Sequence, residues 1–209
     1  MAIVVIGGHS RNIGKTSVVC ALIAAMPERH WTAIKITQCK HDVASGEACD
    51  CEFGGQKFAV SEDRETTSRT DSSRYLAAGA VRSIWVRTRR GELAEAMSRI
   101  FVEIDQAENV ILESNSVLGF LKPDVYASVL DPEVADFKAS ALQYLGSADA
   151  ILLPASPVEQ PEWTGVSLDL IERIPKFRMV PPRYCSDEFV GFVAQGLVKG
   201  LSGRREYEG

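Results

Sequence analysis

The sequence predicts an α/β fold: a mainly parallel sheet between two layers of helices, three layers in all, with one polar insertion. Three observations lead there. Short apolar runs of strand type alternate with segments whose apolar residues recur at helical spacing, the pattern of βα units. The first run, Ile3-Val4-Val5-Ile6, passes through Gly7-Gly8 and a short loop into an amphipathic helix. The chain has 209 residues, 45% hydrophobic and 24% charged, so a single domain over 1–209 is expected.

In chain order, strands are expected at Ile3–Ile6, Ala33–Ile36, Ser83–Val86, Val110–Leu112, Val125–Leu130, Ile151–Leu153 and Arg178–Val180. Helices are expected between them. Their apolar faces are Val18/Val19/Leu22/Ile23/Met26, Leu93/Met97/Ile100/Phe101/Ile104, Val134/Phe137/Ala141/Leu142/Leu145 and Phe189/Val193/Leu197/Leu201. A short helix before the third strand would be capped by Thr70 or Asp71 and ended by Gly79. One stretch breaks the rhythm. Residues 38–70 are polar and too long for a simple connection, which reads as an insertion or lid on the core domain.

Charge and hydropathy exclude several classes. With 23 Lys+Arg against 28 Asp+Glu the net charge is −5, a poor electrostatic match for nucleic acid. No apolar stretch approaches the ~18 residues a membrane span needs, and the N-terminus lacks a basic signal-peptide region. A cytoplasmic chain is expected, with its five cysteines reduced.

The most informative stretch is Gly8-His9-Ser10-Arg11-Asn12-Ile13-Gly14-Lys15-Thr16-Ser17. A buried strand, a glycine-bounded loop, Gly-Lys-Thr and a helix in that order are the context of a phosphate-binding P-loop. Backbone N–H groups across 8–17 would cradle the phosphates at the helix N-terminus. Lys15 would pair with the β- and γ-phosphates, and the Thr16 hydroxyl would ligate Mg²⁺. Five residues separate Gly8 from Gly14, one more than the usual motif. Arg11 reads either as a charge for the γ-phosphate or as a solvated loop residue.

In an open parallel sheet, ligands sit beyond the carboxyl ends of the strands. Three groups collect there. Val110-Ile111-Leu112-Glu113 resembles a Walker B strand, whose terminal carboxylate holds Mg²⁺ through its water shell. Lys35 ends the second strand, where a lysine seldom serves packing. Arg87, Arg89 and Arg90 end the third strand and read equally as a solvated turn. Lys15, Lys35 and Glu113 are thus the candidate catalytic residues, and Thr16 and Glu113 the candidate Mg²⁺ ligands.

The Gly-x5-Gly-Lys-Thr loop is similar to that of dethiobiotin synthetase, and Lys35-Ile36-Thr37-Gln38 matches its Lys-x-x-Gln. The extra loop lysine of the ParA and MinD proteins is absent, its place taken by Ser10 and Arg11. Gly-Lys-Thr after strand one, Lys35 after strand two and Asp71-Ser72-Ser73-Arg74 with Ala78-Gly79-Ala80 before strand three resemble MobB, the GTP-binding molybdopterin-guanine dinucleotide biosynthesis adaptors. The likeness covers roughly residues 1–130. It departs at Ser114-Asn115, where MobB has a Gly and an aromatic after the Glu.

The expected function is therefore Mg²⁺-dependent binding and hydrolysis of a purine nucleoside triphosphate, GTP or ATP. The resemblance implies a role in molybdenum cofactor biosynthesis, with a cofactor-assembly protein as partner. A second reading is an ATP-dependent ligase or kinase similar to dethiobiotin synthetase, with Lys35 and the three arginines holding a small anionic substrate. A third is a metal-binding partner protein whose P-loop is structural. A homodimer is carried as a further expectation, and neither nucleic acid nor membrane as a partner.

Cys39-x-His41 and Cys49-x-Cys51 place four soft ligands in the polar insertion, a candidate zinc site with pair spacing tighter than structural zinc sites use. Incidental cysteines in a reduced loop are the alternative. Cys20 falls on the first helix as a core residue.

Overall fold

The computed structural model describes residues 1–39, 57–66, 70–155, 163 and 165–205. Among these, eight strands form one sheet: β1 (Ala2–Gly8), β2 (Trp31–Cys39), β3 (Phe58–Asp63), β4 (Arg82–Arg89), β5 (Asn109–Glu113), β6 (Val125–Val129), β7 (Ala150–Pro154) and β8 (Lys176–Met179). Their spatial order is β3-β4-β2-β5-β1-β6-β7-β8, and every neighbouring pair is parallel except β3 with β4. The helices are α1 (Lys15–Ala25), α2 (Asp71–Ala77), α3 (Leu93–Asp105), α4 (Ala139–Tyr144), α5 (Leu168–Glu172) and α6 (Asp187–Arg205).

Strand alternation builds the three layers. Val4 and Ile6 of β1 join α1, Tyr75 of α2 and Phe189, Val193 and Leu197 of α6 in one core. Ile3 and Val5 face the other way, onto α3 and Ile171 of α5. β1 is buried throughout, as a central strand covered on both faces must be. No helix among the described residues is long and apolar enough to cross a membrane.

Four local expectations are corrected or narrowed. The stretch 38–70 is not all polar lid: Gln38 and Cys39 complete β2, and 58–63 pairs antiparallel with β4 as an edge strand. Only Phe58 and Val60 face the core there, too weak a pattern to stand out. The helix expected from Val134 begins only at Ala139, because the chain before it is bonded to the phosphate loop instead. Thr70, not Asp71, caps α2, its hydroxyl accepting from the Ser73 N–H at 3.1 Å. The last strand ends at Met179 and starts two residues before the expected Arg178. α5 had no readable periodicity in five residues.

Candidate functional site

β1 delivers the chain into the loop 9–14, and α1 begins at Lys15. Two glycines make this possible. A Cβ on Gly7 would lie 2.1 Å from Asn115 Oδ1, so only glycine lets that side chain approach. Gly14 has φ +96°, and from this left-handed position the loop turns into α1. Asn115 then clamps the strand end. Its Oδ1 accepts from Gly8 N–H at 2.9 Å, and its Nδ2 donates to Gly8 O at 2.8 Å.

On one flank, register assembles a charged cluster. Ile6 of β1 is level with Glu113 of β5, and Glu113 is level with Lys35 of β2. Alternation turns Lys35 and Glu113 toward the α1 face, because Ile34 and Leu112 take the other. There Thr16 Oγ donates to Glu113 Oε2 at 2.8 Å. Lys35 Nζ lies 2.6 Å from Asp71 Oδ2, 3.3 Å from Glu113 Oε1 and 3.3 Å from Thr16 Oγ. The buried Tyr75 hydroxyl also donates to Glu113. Burial, reinforced by the Glu113 charge, holds that phenol well above its ordinary pKa. Burial pushes the Asp71 carboxyl up, but the Lys35 and Arg74 cations outweigh it and leave its pKa lowered. Arg74 fastens α2 to α1 by donating to Ser17 Oγ at 3.0 Å.

The other flank is built from main-chain bonds. His9 is fully buried. Its Nδ1–H donates to Asp136 O at 2.8 Å, and its Nε2 accepts from Asp131 N–H at 2.9 Å. Those partners fix a neutral imidazole, and burial depresses its pKa below 6.5. The ring stacks on Phe137 at 4.8 Å and meets Trp163 edge-on at 5.7 Å. Trp163 Nε1 donates to Asp131 O at 2.9 Å. Ser10 Oγ donates to Asp136 at 3.0 Å, and Lys138 N–H donates to His9 O at 2.9 Å. The phosphate loop and residues 131–138 are thus one bonded unit.

Lys15 lies between the flanks, its ammonium donating to the Ser10 carbonyl. Burial lowers its pKa to about 8, and the Lys138 and Lys35 charges push the same way against Glu113. A groove of about 520 Å³ runs along α1 past Ser17, Cys20, Ala21, Arg74, Pro182 and Tyr184, and none of the residues 8–16 lines it.

The structure bonds Thr16, Lys35 and Glu113 into one cluster with Asp71 and Tyr75, places Lys15 on the Ser10 carbonyl, and sets Asn115 against Gly8. The sequence offers Asp71 as a cap and as part of the MobB-like motif, marks Asn115 only where that likeness departs, and does not single out Tyr75. Arg11 is exposed on the loop. Arg87 stacks on Trp85 at 4.5 Å, and the arginines of β4 do not join the Thr16–Glu113 cluster. Of the zinc candidates, His41, Cys49 and Cys51 lie outside the described residues, and Cys39 is disulfide-bonded. Cys20 is half-buried, its thiol directed to Arg74 O at 3.6 Å. Among the described residues no cluster of three or more His, Cys, Asp or Glu is arranged for a metal ion.

No family model matches the sequence, and no curated protein matches it. Solved structures do. HypB from Helicobacter pylori in complex with nickel superposes with a TM-score of 0.52 and 17% identity, over 95% of this chain and 88% of HypB. The "apo" form of LpxK from Aquifex aeolicus in complex with ATP superposes with a TM-score of 0.50 and 16% identity, over 86% of this chain. The chain spans 54% of LpxK, about half its length. The likeness is one of fold: an α/β architecture built on a mostly parallel sheet.

Proposed function

We propose that this chain binds a purine nucleoside triphosphate with Mg²⁺ and hydrolyses it. One observation carries the reading: Thr16, Glu113, Lys35 and Asp71 meet within hydrogen-bonding distance beside the glycine-bounded loop and Lys15. A hydroxyl and two carboxylates are the hard oxygen donors Mg²⁺ takes, so the residues fit the ion. The Lys35 ammonium sits among those oxygens and supplies the positive charge they demand in the nucleotide-free protein.

Each residue then has a part. The Gly8 and His9 N–H groups are committed to Asn115 and Val129, so the N–H groups from Ser10 to the α1 N-terminus would hold the phosphate oxygens, with Lys15 supplying the fixed charge facing them. Thr16 and Glu113 would hold Mg²⁺, which when bound neutralises charge on the β- and γ-oxygens. Lys35, freed from Glu113 and Asp71, turns to the terminal phosphate, where charge accumulates during transfer. Tyr75 fixes the orientation of Glu113.

Two observations favour a second reading, phosphoryl transfer to a small anionic acceptor as in an ATP-dependent ligase or kinase. Lys35-x-x-Gln38 resembles dethiobiotin synthetase, and LpxK is a structural neighbour holding ATP. A role in molybdenum cofactor assembly rests on the sequence resemblance of residues 1–130 alone. Product analysis decides between the two readings. Phosphate released from ATP or GTP by purified protein supports hydrolysis, whereas release only on adding an anionic acceptor supports transfer.

A further inference from the structure

The β6 flank carries a cation that the nucleotide site as described does not use. Lys138 stands at the N-terminal boundary of α4, with φ −65° and ψ 141°, and its main chain is tied to His9 O. That bond belongs to the clasp in which the His9 ring holds Asp131 and Asp136, so the lysine is carried by the phosphate loop itself. Its ammonium is half-buried and makes no hydrogen bond or ion pair among the described residues. Its electrostatic neighbours are Arg11, then Asp136, Glu113 and Lys35, and its charge in turn acts on Lys15.

This placement is unfavourable in isolation. Burial and the Arg11 charge push the Lys138 pKa down, with Lys35 adding to them, while the carboxylate of Asp136 already accepts from Ser10. A half-buried ammonium whose foremost charged neighbour is another cation is favoured when an anion joins them. In the proposed site the loop amides and Lys15 would serve the phosphates nearest the loop. The main-chain bond to His9 holds Lys138 against the loop on the β6 side, and its charge is coupled to Lys15, Lys35 and Glu113. With Glu113 holding Mg²⁺ between the β- and γ-phosphates, a cation coupled to Glu113 would reach the terminal phosphate.

We propose that Lys138 is a ligand of the terminal phosphoryl group of the bound triphosphate, completing from the β6 flank what Lys35 supplies from the β2 flank. Arg11 stands next to it as an exposed helper. The site thereby tells triphosphate from diphosphate: the γ-phosphate receives Lys138, and the β-phosphate does not. This inference rests on the triphosphate reading of the loop.

Calorimetric titrations of ATP, ADP, GTP and GDP into wild-type and Lys138→Met protein, all with Mg²⁺, test it. Triphosphate affinity should fall about tenfold in the variant while diphosphate affinity stays within about twofold. Lys138→Arg should keep most of the difference between the two. Lys138→Gln reads the same quantity if methionine disturbs the turn. Wild-type binding with an unchanged or equal loss for both nucleotides in Lys138→Met overturns this proposal alone. Wild-type protein that binds no nucleotide overturns it together with the triphosphate reading.

Discussion

The two flanks of the phosphate loop solve the same problem differently. On the β2/β5 flank, side chains neutralise one another: Lys35 with Asp71 and Glu113, Thr16 with Glu113. On the β6 flank the bonds run mostly to main chain, from the His9 ring to Asp131 and Asp136 and from Lys138 N–H to His9. Side-chain pairs exchange partners when a ligand arrives, whereas a buried imidazole with both nitrogens committed to backbone holds its shape. One flank is suited to chemistry, and the other keeps the loop in register. Lys15, between them, has among the described residues only a carbonyl partner and a lowered pKa.

The largest effect should come from the residue both flanks converge on. Lys15→Ala should weaken triphosphate binding at least about a hundredfold, ~2.7 kcal/mol, with the melting temperature nearly unchanged. Comparable affinity in a folded variant would remove the phosphate-loop assignment.

On the exchangeable flank, Glu113→Gln keeps the shape and removes the charge. Turnover should drop by about thirtyfold to a hundredfold while nucleotide affinity changes less than about tenfold. Equal losses in both quantities would make Glu113 a structural partner of Tyr75 and Thr16 rather than a metal ligand.

For the loop's scaffold the expected loss is stability. Asn115→Ala leaves the buried Gly8 N–H and C=O without their clamp, costing about 1–3 kcal/mol in denaturant unfolding. An unchanged midpoint would mean that the strand end holds itself.

Opposite in origin are the pH effects. Folded Lys15 titrates near 8 and the unfolded side chain near 10.5, so between those values the unfolded chain holds more protons. Stability of the nucleotide-free protein should rise over that window. Triphosphate binding restores the ammonium, so it should take up a proton above pH 8 and weaken as pH increases. His9, whose folded pKa lies below 6.5, makes stability fall as pH drops through that value. A His9→Phe protein should lose this acid sensitivity, measured as the melting temperature between pH 5 and 7.

The same contrast explains what the sequence made legible. Lys35 and Glu113 could be read because a charged residue closing an apolar run marks a strand's functional end, and parallel register sets the two side by side. Gly14-Lys15-Thr16 was readable from its place between an apolar run and an amphipathic segment. His9, Asp131 and Lys138 were not, since their bonds use main-chain atoms that carry no residue signature. Val134 and Phe137 recur at helical spacing, yet they pack against different faces of the sheet from a non-helical segment. Asn115 carried a signal that went unused: an amide two residues past a Walker-B-like Glu, level with a Gly-Gly strand end. Tyr75 looked like one more apolar position of a short helix, and only the fold shows its hydroxyl meeting Glu113.

The central claim is that this loop, between these two flanks, is a triphosphate site assembled with Mg²⁺. Titration of the unmodified protein with ATP and with GTP, each with Mg²⁺ and with the ion chelated, tests it most directly. At least one triphosphate should bind with a dissociation constant of about 10 μM or tighter, ~7 kcal/mol, should weaken at least about tenfold without Mg²⁺, and should raise the melting temperature. No heat and no thermal shift with either nucleotide, in folded protein, would contradict it.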